Sequence, residues 1–197
     1  GEPDALPPPE TDTHYLPHGL PRPSSPIRYV DCGAYTGDTI QSFLRNGLAF
    51  EEIAAFEPDP AHYPRLVRTI ESLRALAFPC GVWDEMTQLR FSSDDSASHI
   101  DDAGEIMVQT LALDQALPNF APTLIKMDIE GAEGRALLGA RRTIETHRPQ
   151  LAISTYHKPR DMWELMLLVH RWVLGYRFYL RTHCHNGFET VLYGYPT

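Results

Sequence analysis

The sequence predicts an α/β fold with a doubly wound, mostly parallel seven-stranded sheet that ends in an antiparallel C-terminal hairpin. Three observations lead to this prediction. From Ile27 onward, short apolar runs alternate with longer segments of helical periodicity, which is the pattern of βαβ units. Glycine and acidic residues follow the first two apolar runs, at the strand ends where parallel sheets bind ligands. Two short runs around the Asn186-Gly187 turn close the chain as a hairpin.

Each element is predicted from its apolar pattern. Strands are expected at residues 28–31, 53–56, 78–83, 123–127, 151–155, 178–181 and 190–193. Helices are expected at residues 39–46, 60–76, 133–147 and 162–174. Residues 89–110 are expected to form short strands and turns, an insertion on the common pattern. The order of these elements predicts one domain over residues 27–197.

Length, composition and charge exclude several classes of protein. The 197 residues allow one domain with a substantial core, and 43% hydrophobic with 22% charged residues is typical of a folded, soluble protein. No apolar run approaches the roughly 20 residues that cross a bilayer, and the formal charge of −9 disfavours a nucleic-acid partner. The scattered cysteines, Cys32, Cys80 and Cys184, predict reduced thiols. We therefore expect a cytoplasmic protein that binds neither nucleic acid nor a membrane.

The first 26 residues are predicted to form a proline-rich arm, because they contain eight of the 17 prolines of the chain. Proline lacks a backbone donor and has a fixed φ, which excludes a central strand or a long helix. Two interpretations remain. The arm is either an extended leader or a segment that folds over the active site, with Tyr15 and His18 as its contacts.

A glycine-containing turn and an acidic residue predict the ligand. Asp31, Gly33 and Gly37 have the spacing Asp-x-Gly-x-x-x-Gly after the first strand. The glycines allow a tight turn and a close approach to a ligand, and the carboxylate would repel a pyrophosphate but suits the ammonium group of a methionine moiety. Glu57 ends the second strand, where an acid accepts hydrogen bonds from both ribose hydroxyls. Together these residues predict an adenosine ligand that carries an amino acid.

Longer segments resemble the FkbM-like methyltransferases. Residues 124–133 (LIKMDIEGAE) are similar to the central signature of that family, and residues 154–163 (STYHKPRDMW), 178–181 and 189–193 resemble its C-terminal half. The resemblance covers Ile27 to Tyr195. It implies a class I, Rossmann-like methyltransferase fold that uses S-adenosylmethionine and releases S-adenosylhomocysteine. It also implies O-methylation of a hydroxyl on a sugar or another natural-product small molecule. For the oligomeric state, a homodimer stays an open alternative.

The resemblance extends to individual residues of the cofactor site. The turn after the first strand would line the methionine part, Glu57 would hold the ribose, and residues 82–84 would face the adenine. The expected cofactor-binding set is Asp31, Gly33, Tyr35, Gly37, Asp38, Thr39, Glu57, Pro58, Val82, Trp83 and Asp128. The polar stretch 93–98 lies where the family often has a serine-rich loop near the cofactor.

His157 is the predicted general base, because it follows the fifth strand at the ligand end of the sheet and imidazole titrates near neutral pH. Asp161, four residues later, is expected to orient the ring. Asp128, at the end of the fourth strand, is expected to contact the cofactor or the acceptor. Lys158 and Arg160 are alternative contacts for an anionic acceptor.

Other functions stay open as alternatives. A nicotinamide-dependent oxidoreductase would need the Gly-x-Gly-x-x-Gly fingerprint, which the chain lacks. A protein that binds the cofactor without turnover would keep the same turn and the same ribose acid. No metal site is assigned, although Asp128, Glu130 and His157 are of types that bind divalent ions. The stretch 183–185 (HCH) lacks a four-ligand spacing and is interpreted as a strand-end loop.

Overall fold

The computed structural model describes residues 14–92, 99–100, 106–185 and 187–197. Its strands are β1 (Ile27–Cys32), β2 (Phe50–Phe56), β3 (Ala75–Phe78), β4 (Gly81–Val82), β5 (Thr87–Ser92), β6 (His99–Ile100), β7 (Ile106–Leu111), β8 (Leu124–Met127), β9 (Gln150–Ser154), β10 (Tyr176–Thr182) and β11 (Thr190–Pro196). Its helices are α1 (Asp38–Arg45), α2 (Tyr63–Ile70), α3 (Leu113–Ala116), α4 (Glu133–Gly139), α5 (Arg141–His147) and α6 (Asp161–Trp172).

Seven strands form the main sheet, in the order β10-β11-β9-β8-β1-β2-β3. The five strands from β9 to β3 are parallel to their neighbours, whereas β11 is antiparallel to both β9 and β10. The predicted doubly wound sheet with an antiparallel C-terminal hairpin is therefore confirmed. Strand order reverses beside β1, so the carboxyl ends of β1, β2 and β8 meet at a topological switch point, where open α/β sheets bind ligands.

Both faces of the main sheet are buried, as expected for parallel strands that helices cover on each side. On β1, Val30 and Cys32 belong to the apolar cluster that α4, α5 and α6 cover, whereas Ile27 and Tyr29 belong to the cluster beneath α1 and α2. The alternation has the two-residue period of a strand. Packing on both faces holds β1 rigidly in the centre of the sheet, so the turn that follows β1 is also fixed in position.

A second sheet has the order β4-β7-β5-β6 and corresponds to the predicted insertion. The sequence interpretation placed one strand at residues 78–83, but the structure divides that range. Ala75–Phe78 joins the main sheet, because Ala75 and Ala77 pack against one apolar cluster and Phe78 against the other. Gly81–Val82 pairs instead with β7 in the second sheet. Helix α2 accordingly ends at Ile70, earlier than predicted.

The predicted helix over residues 133–147 is two helices, α4 and α5, which meet at Ala140. Gly139 explains the close packing at this break. A Cβ atom on Gly139 would lie 2.0 Å from the carbonyl oxygen of Trp83, so only glycine allows the two backbones to approach so closely. The contact fixes the end of α4 against the start of the second sheet.

The described part of the proline-rich arm packs on the main sheet. Tyr15 and Leu16 are buried in the cluster beneath α1 and α2, and the backbone N–H of Tyr15 donates a hydrogen bond to Tyr193 Oη across 3.1 Å. His18 is exposed. The arm thus buries Tyr15 against Tyr193, in the middle of β11. Among the described residues, no helix combines the length and the apolar character that a bilayer span requires.

Candidate functional site

A cavity of about 560 Å³ opens at the carboxyl ends of β1, β2 and β8, within the size range of small-molecule sites. The structure brings eight of the predicted cofactor-binding residues to its wall: Gly33, Tyr35, Asp38, Thr39, Glu57, Pro58, Val82 and Asp128. Three loops carry most of them, and each loop follows a neighbouring strand of the main sheet. This convergence is the expected consequence of a switch point at β1.

Three predicted cofactor-binding residues do not line the cavity, and each has a structural contact instead. Asp31 is fully buried, with its Oδ1 atom 3.1 Å from Lys126 Nζ. Gly37 packs against Thr69 on α2, where a Cβ would lie 2.6 Å from a methyl group. Trp83 lies beneath the guanidinium of Arg135, 5.1 Å from the ring centroid.

Glu57 presents its carboxylate at the end of β2. Its Oε2 atom accepts a hydrogen bond from the backbone N–H of Tyr35, and its Oε1 atom accepts one from the backbone N–H of Asp59, both across 2.8 Å. Burial raises the pKa of Glu57 to about 7, despite these two bonds. The carboxylate is therefore held in one orientation, with one lone pair on each oxygen still available to a ligand.

The turn after β1 is bound to the end of β8. Gly33 has φ +76°, and a Cβ there would lie 1.9 Å from the carbonyl oxygen of Asp128. Lys126 Nζ donates a hydrogen bond to the carbonyl of Gly33 across 2.6 Å. Burial alone would lower the pKa of Lys126, but the carboxylates of Asp31 and Asp128 raise it, so its ammonium group stays charged. One buried cation thus connects the two loops that form the centre of the site.

Asp128 lies where three elements converge. Its Oδ2 atom accepts a hydrogen bond from Tyr15 Oη across 2.9 Å, and its Oδ1 atom accepts a longer one from Tyr156 Oη across 3.4 Å. Burial alone would raise the pKa of Asp128, but the charges of Lys126 and His157 and the Tyr15 hydroxyl lower it below its ordinary value. The group is therefore an anion in the resting protein, and one that faces the cavity.

His157 lies behind the cavity wall, not on it. Its Nδ1 atom is 2.9 Å from Glu133 Oε1, and its Nε2 atom is 3.3 Å from Glu130 Oε2 and 3.6 Å from Asp128 Oδ1. Burial alone would lower the pKa of His157, but Glu133, Asp128 and Glu130 raise it. Asp161, the predicted orienting residue, makes no ion pair with the ring within 4.0 Å; Glu133 occupies that position. Glu133 is the first residue of α4.

Strained backbone concentrates around the cavity. Five described residues other than glycine have a positive φ, and four of them line the cavity: Tyr15 (65°), Tyr35 (49°), Glu130 (55°) and Glu189 (55°). A left-handed conformation costs a residue with a Cβ on the order of 1–2 kcal/mol. Such conformations persist where the surrounding structure requires them, which is common at functional sites.

Sequence reasoning missed two residues at the Asp128 end of the cavity, His14 and Glu189. His14 Nε2 lies 3.3 Å from Glu189 Oε2, and burial lowers the pKa of His14 to about 4, so the ring is neutral at neutral pH. No local pattern marks His14, which lies in the arm, and Glu189 was noted only as the first residue of a stretch that resembles the family's C-terminal half. Lys158 and Arg160 are exposed and do not line the cavity. The stretch 93–98 and Asn186 lie outside the described residues.

Comparisons with known proteins agree with this architecture. The family model of the methyltransferase FkbM domain matches residues 31–178. The crystal structure of a methyltransferase FkbM from Methylobacillus flagellatus is 30% identical in sequence, with a TM-score of 0.80 over 95% of this chain and 48% of that chain. The present chain therefore spans about half the length of that protein. No curated protein matches the chain.

More distant structures share the fold. Fibrillarin from Aeropyrum pernix, solved with natively bound S-adenosyl-L-methionine, is 9% identical and has a TM-score of 0.57 over 92% of this chain and 72% of that one. Fibrillarin from Methanococcus jannaschii is 11% identical, with a TM-score of 0.55 over 92% and 71%. At such identities the likeness concerns the fold alone, and it confirms the class I methyltransferase architecture predicted from the sequence.

Proposed function

Because the chain belongs to the FkbM methyltransferase family, we propose that it transfers the methyl group of S-adenosylmethionine to a hydroxyl oxygen of an uncharged small molecule. One observation carries this proposal. The cavity has a carboxylate at each end, Glu57 after β2 and Asp128 after β8, with the turn after β1 between them. Adjacent strands lie about 4.8 Å apart, so β2 and β8 are separated by about 10 Å, enough for a nucleoside and its side chain.

The Glu57 end suits the nucleoside. The two backbone hydrogen bonds to Glu57 leave one lone pair on each oxygen, which is what two neighbouring ribose hydroxyls need as acceptors. Apolar side chains from the second sheet, Val82, Phe91 and Val108, line the same cavity and offer a surface for a base. The residues present therefore fit an adenosine group.

The Asp128 end suits a neutral acceptor. Asp128, Glu130 and Glu189 line it, and Lys126, which lines the same cavity, already pairs with Asp31. S-adenosylmethionine supplies an electrophilic methyl carbon on a sulfonium. A hydroxyl oxygen that attacks such a carbon becomes positive as its new bond forms, and nearby carboxylates stabilise that charge. An acceptor with its own phosphate or carboxylate would be repelled.

The acceptor hydroxyl loses its proton when its oxygen is methylated, so a base must accept that proton. Asp128 faces the cavity, and its backbone carbonyl packs against Gly33 in the turn after β1. We assign Asp128 as the group that takes the proton, with His157 Nε2 3.6 Å behind it to stabilise the carboxylate. Tyr15 and Tyr156 hold the carboxylate in position through their hydroxyls. Positioning of this kind supplies a large part of the rate in a displacement reaction.

Methyl transfer from labelled S-adenosylmethionine tests the proposal. Sugars and polyketide alcohols would be offered in parallel with their phosphorylated or carboxylated counterparts. We expect methyl ethers from the neutral compounds only, and we expect Asp128→Asn to lower kcat by about 10²–10⁴. Glu51→Gln, an exposed carboxylate at the opposite end of β2, serves as the matched control and should retain full activity. Preferential methylation of the anionic compounds, or of an amine nitrogen, would contradict the proposal.

A further inference from the structure

The arm contacts two carboxylates of the cavity through neighbouring residues. Tyr15 Oη donates a hydrogen bond to Asp128 Oδ2 across 2.9 Å, and His14 Nε2 lies 3.3 Å from Glu189 Oε2. The rings of His14 and Tyr15 are stacked, with their centroids 3.9 Å apart. All four residues line the same cavity. The stacked pair therefore connects the two carboxylates on one part of the cavity wall.

Glu189 reaches this part of the cavity because β11 is antiparallel to β9. It comes directly before β11, and an antiparallel strand begins at the edge of the sheet where its parallel neighbour ends. The backbone N–H of Thr155, just after β9, donates a hydrogen bond to the carbonyl of Thr190 across 2.8 Å. Asp128 follows β8 on the other side of β9. The two carboxylates thus approach the same end of the cavity from either side of β9.

The surroundings of His14 and Glu189 hold both side chains in place. The His14 ring also contacts the His183 ring, with the centroids 4.7 Å apart. Burial lowers the pKa of His14 to about 4, so the neutral ring can donate an N–H group to Glu189. The backbone carbonyl of Glu189 accepts a hydrogen bond from His183 N–H across 3.1 Å, and Glu189 has φ +55°. The carboxylate is therefore presented from a fixed backbone position.

Both carboxylates can accept further hydrogen bonds from a ligand. An ionised carboxylate has about four acceptor sites. The hydroxyls of Tyr15 and Tyr156 occupy part of this capacity on Asp128. The Glu189 side chain is 35% exposed and lines the cavity. A ligand that fills this end would therefore meet acceptors on two sides, and it would need a donor for each of them.

Two positive charges already act on these carboxylates, so the donors need not be cationic. Burial and the charge of Asp128 raise the pKa of Glu189, whereas His157 and Lys126 lower it. Hydroxyl groups of a neutral ligand are therefore sufficient donors. The hydroxyl that is methylated gives its proton to Asp128, so the donor to Glu189 has to be a different hydroxyl of the same molecule.

We propose that Glu189 binds a second free hydroxyl of the acceptor, so that the enzyme selects diols and larger polyols over simple alcohols. His14 is the positioning residue that holds the Glu189 carboxylate. The inference rests on the proposed function, in which Asp128 receives the proton of the first hydroxyl. The arm thereby contributes to the choice of acceptor, because its two stacked residues contact both of the carboxylates that the acceptor would meet.

Ligand-observed saturation-transfer NMR measures acceptor binding without turnover. The full chain, with and without S-adenosylhomocysteine, would be titrated with the positional isomers of cyclohexanediol and with cyclohexanol. We expect at least one diol to bind about 10–100-fold more tightly than cyclohexanol, the factor that one hydrogen bond to a charged group provides. Glu189→Ala should abolish this preference. Glu51→Ala, an exposed carboxylate at the opposite end of β2, should retain it.

The substitution His14→Phe tests the positioning role, because a phenyl ring keeps the stack on Tyr15 but lacks the nitrogen that faces Glu189. We expect His14→Phe to weaken the binding of the diol and to leave that of cyclohexanol unchanged. In the Glu189→Ala background it should have no further effect, since both changes remove the same contact. Losses that add in the double variant would show that His14 does not act through Glu189.

Three results would overturn the inference: no diol bound more tightly than cyclohexanol, an equal diol preference in Glu189→Ala and the unaltered chain, or tighter binding of an aminocyclohexanol than of every diol. Circular dichroism and S-adenosylhomocysteine affinity identify variants that lose binding through misfolding. If S-adenosylhomocysteine binds without any diol preference, only this inference fails. If the Glu189-dependent preference occurs without S-adenosylhomocysteine binding, the diol site stands and the methyltransferase proposal fails.

Discussion

The hydroxyl of Tyr15 donates a hydrogen bond to Asp128 Oδ2 across 2.9 Å, and it thereby connects the arm ahead of β1 to the loop after β8. The Tyr15 ring also lies 5.5 Å from the ammonium group of Lys126. The arm is therefore a part of the cavity wall at the acceptor end. Deleting it would expose Asp128 to water and remove one of the groups that keep its carboxylate anionic.

The substitution Tyr15→Phe tests this connection. It removes one hydrogen bond to a charged group but keeps the ring, so the free energy of unfolding should fall by about 1.5–3 kcal/mol. Urea denaturation measures the change. Tyr179→Phe is the matched control, since Tyr179 is a half-buried tyrosine whose ring contacts Tyr195. Equal losses in the two variants would show that the bond to Asp128 contributes nothing specific.

Alanine substitutions at Gly33 and Gly47 distinguish two costs of adding a methyl group: the backbone cost of a positive φ and the steric cost of a close contact. Both have a positive φ, +76° and +79°, but a Cβ at Gly33 would meet the Asp128 carbonyl at 1.9 Å, whereas a Cβ at Gly47 would meet nothing within 4 Å. Gly47→Ala should cost about 1–2 kcal/mol, the backbone penalty alone. Gly33→Ala should cost clearly more and displace the turn. Similar melting temperatures for the two variants would contradict the close approach.

Lys126→Met leaves Asp31 buried without its partner. Removal of one member of a buried ion pair costs about 3–5 kcal/mol, whereas replacement of both members by apolar residues is often neutral. Asp31→Leu/Lys126→Met should therefore regain more than half of the stability that Lys126→Met loses. The cycle is measured by chemical denaturation. A double variant less stable than Lys126→Met would show that Asp31 and Lys126 are not each other's main partners.

Cofactor affinity should depend on pH through Glu57. Burial raises its pKa to about 7, so at pH 6 most of the free protein carries a proton that ribose hydroxyls must displace from the carboxylate. S-adenosylhomocysteine should thus bind about tenfold more tightly at pH 8 than at pH 6. The contribution of Glu57 to the free energy of unfolding has the opposite pH dependence. It is present below the ordinary pKa of a glutamate and is lost as the pH rises toward 7. Calorimetry at several pH values measures the first effect, and Glu57→Gln should abolish it.

Short-range patterns in the sequence were sufficient to predict the main sheet and the position of Glu57 at the end of β2. Gly33 and Glu57 each follow an apolar run, and the geometry of a parallel sheet places such ends together. The strand near Phe78 was misplaced because no glycine or proline separates its start from the end of α2, and only the pairing of β3 with β2 defines that start. The prediction of a single helix after residue 133 was wrong at Gly139 for a similar reason. The Trp83 carbonyl that packs against Gly139 is close in space but distant in the sequence.

Side-chain partners were harder to predict than the elements that carry them. Asp31 was expected to face the ligand, yet its partner Lys126 comes from β8, one strand away in the sheet. His157 was expected to be oriented by Asp161, four residues later, because nothing local indicates that Glu133 lies closer. A sequence pattern states which residues follow a strand. It does not state how far each side chain extends from the end of that strand, and this decides which carboxylate meets which cation.

Calorimetric titration with S-adenosylhomocysteine and with NAD tests the central claim, that the cavity between Glu57 and Asp128 is a methyl-donor site, most directly. We predict one S-adenosylhomocysteine site per chain and no heat from NAD. Glu57→Ala should weaken the binding by about 2–4 kcal/mol, since charge-assisted hydrogen bonds contribute about 1.5–3 kcal/mol each and are not additive. Glu51→Ala should leave it unchanged. Binding of NAD without any response to S-adenosylhomocysteine, or equal S-adenosylhomocysteine affinity in Glu57→Ala and the unaltered chain, would contradict the claim.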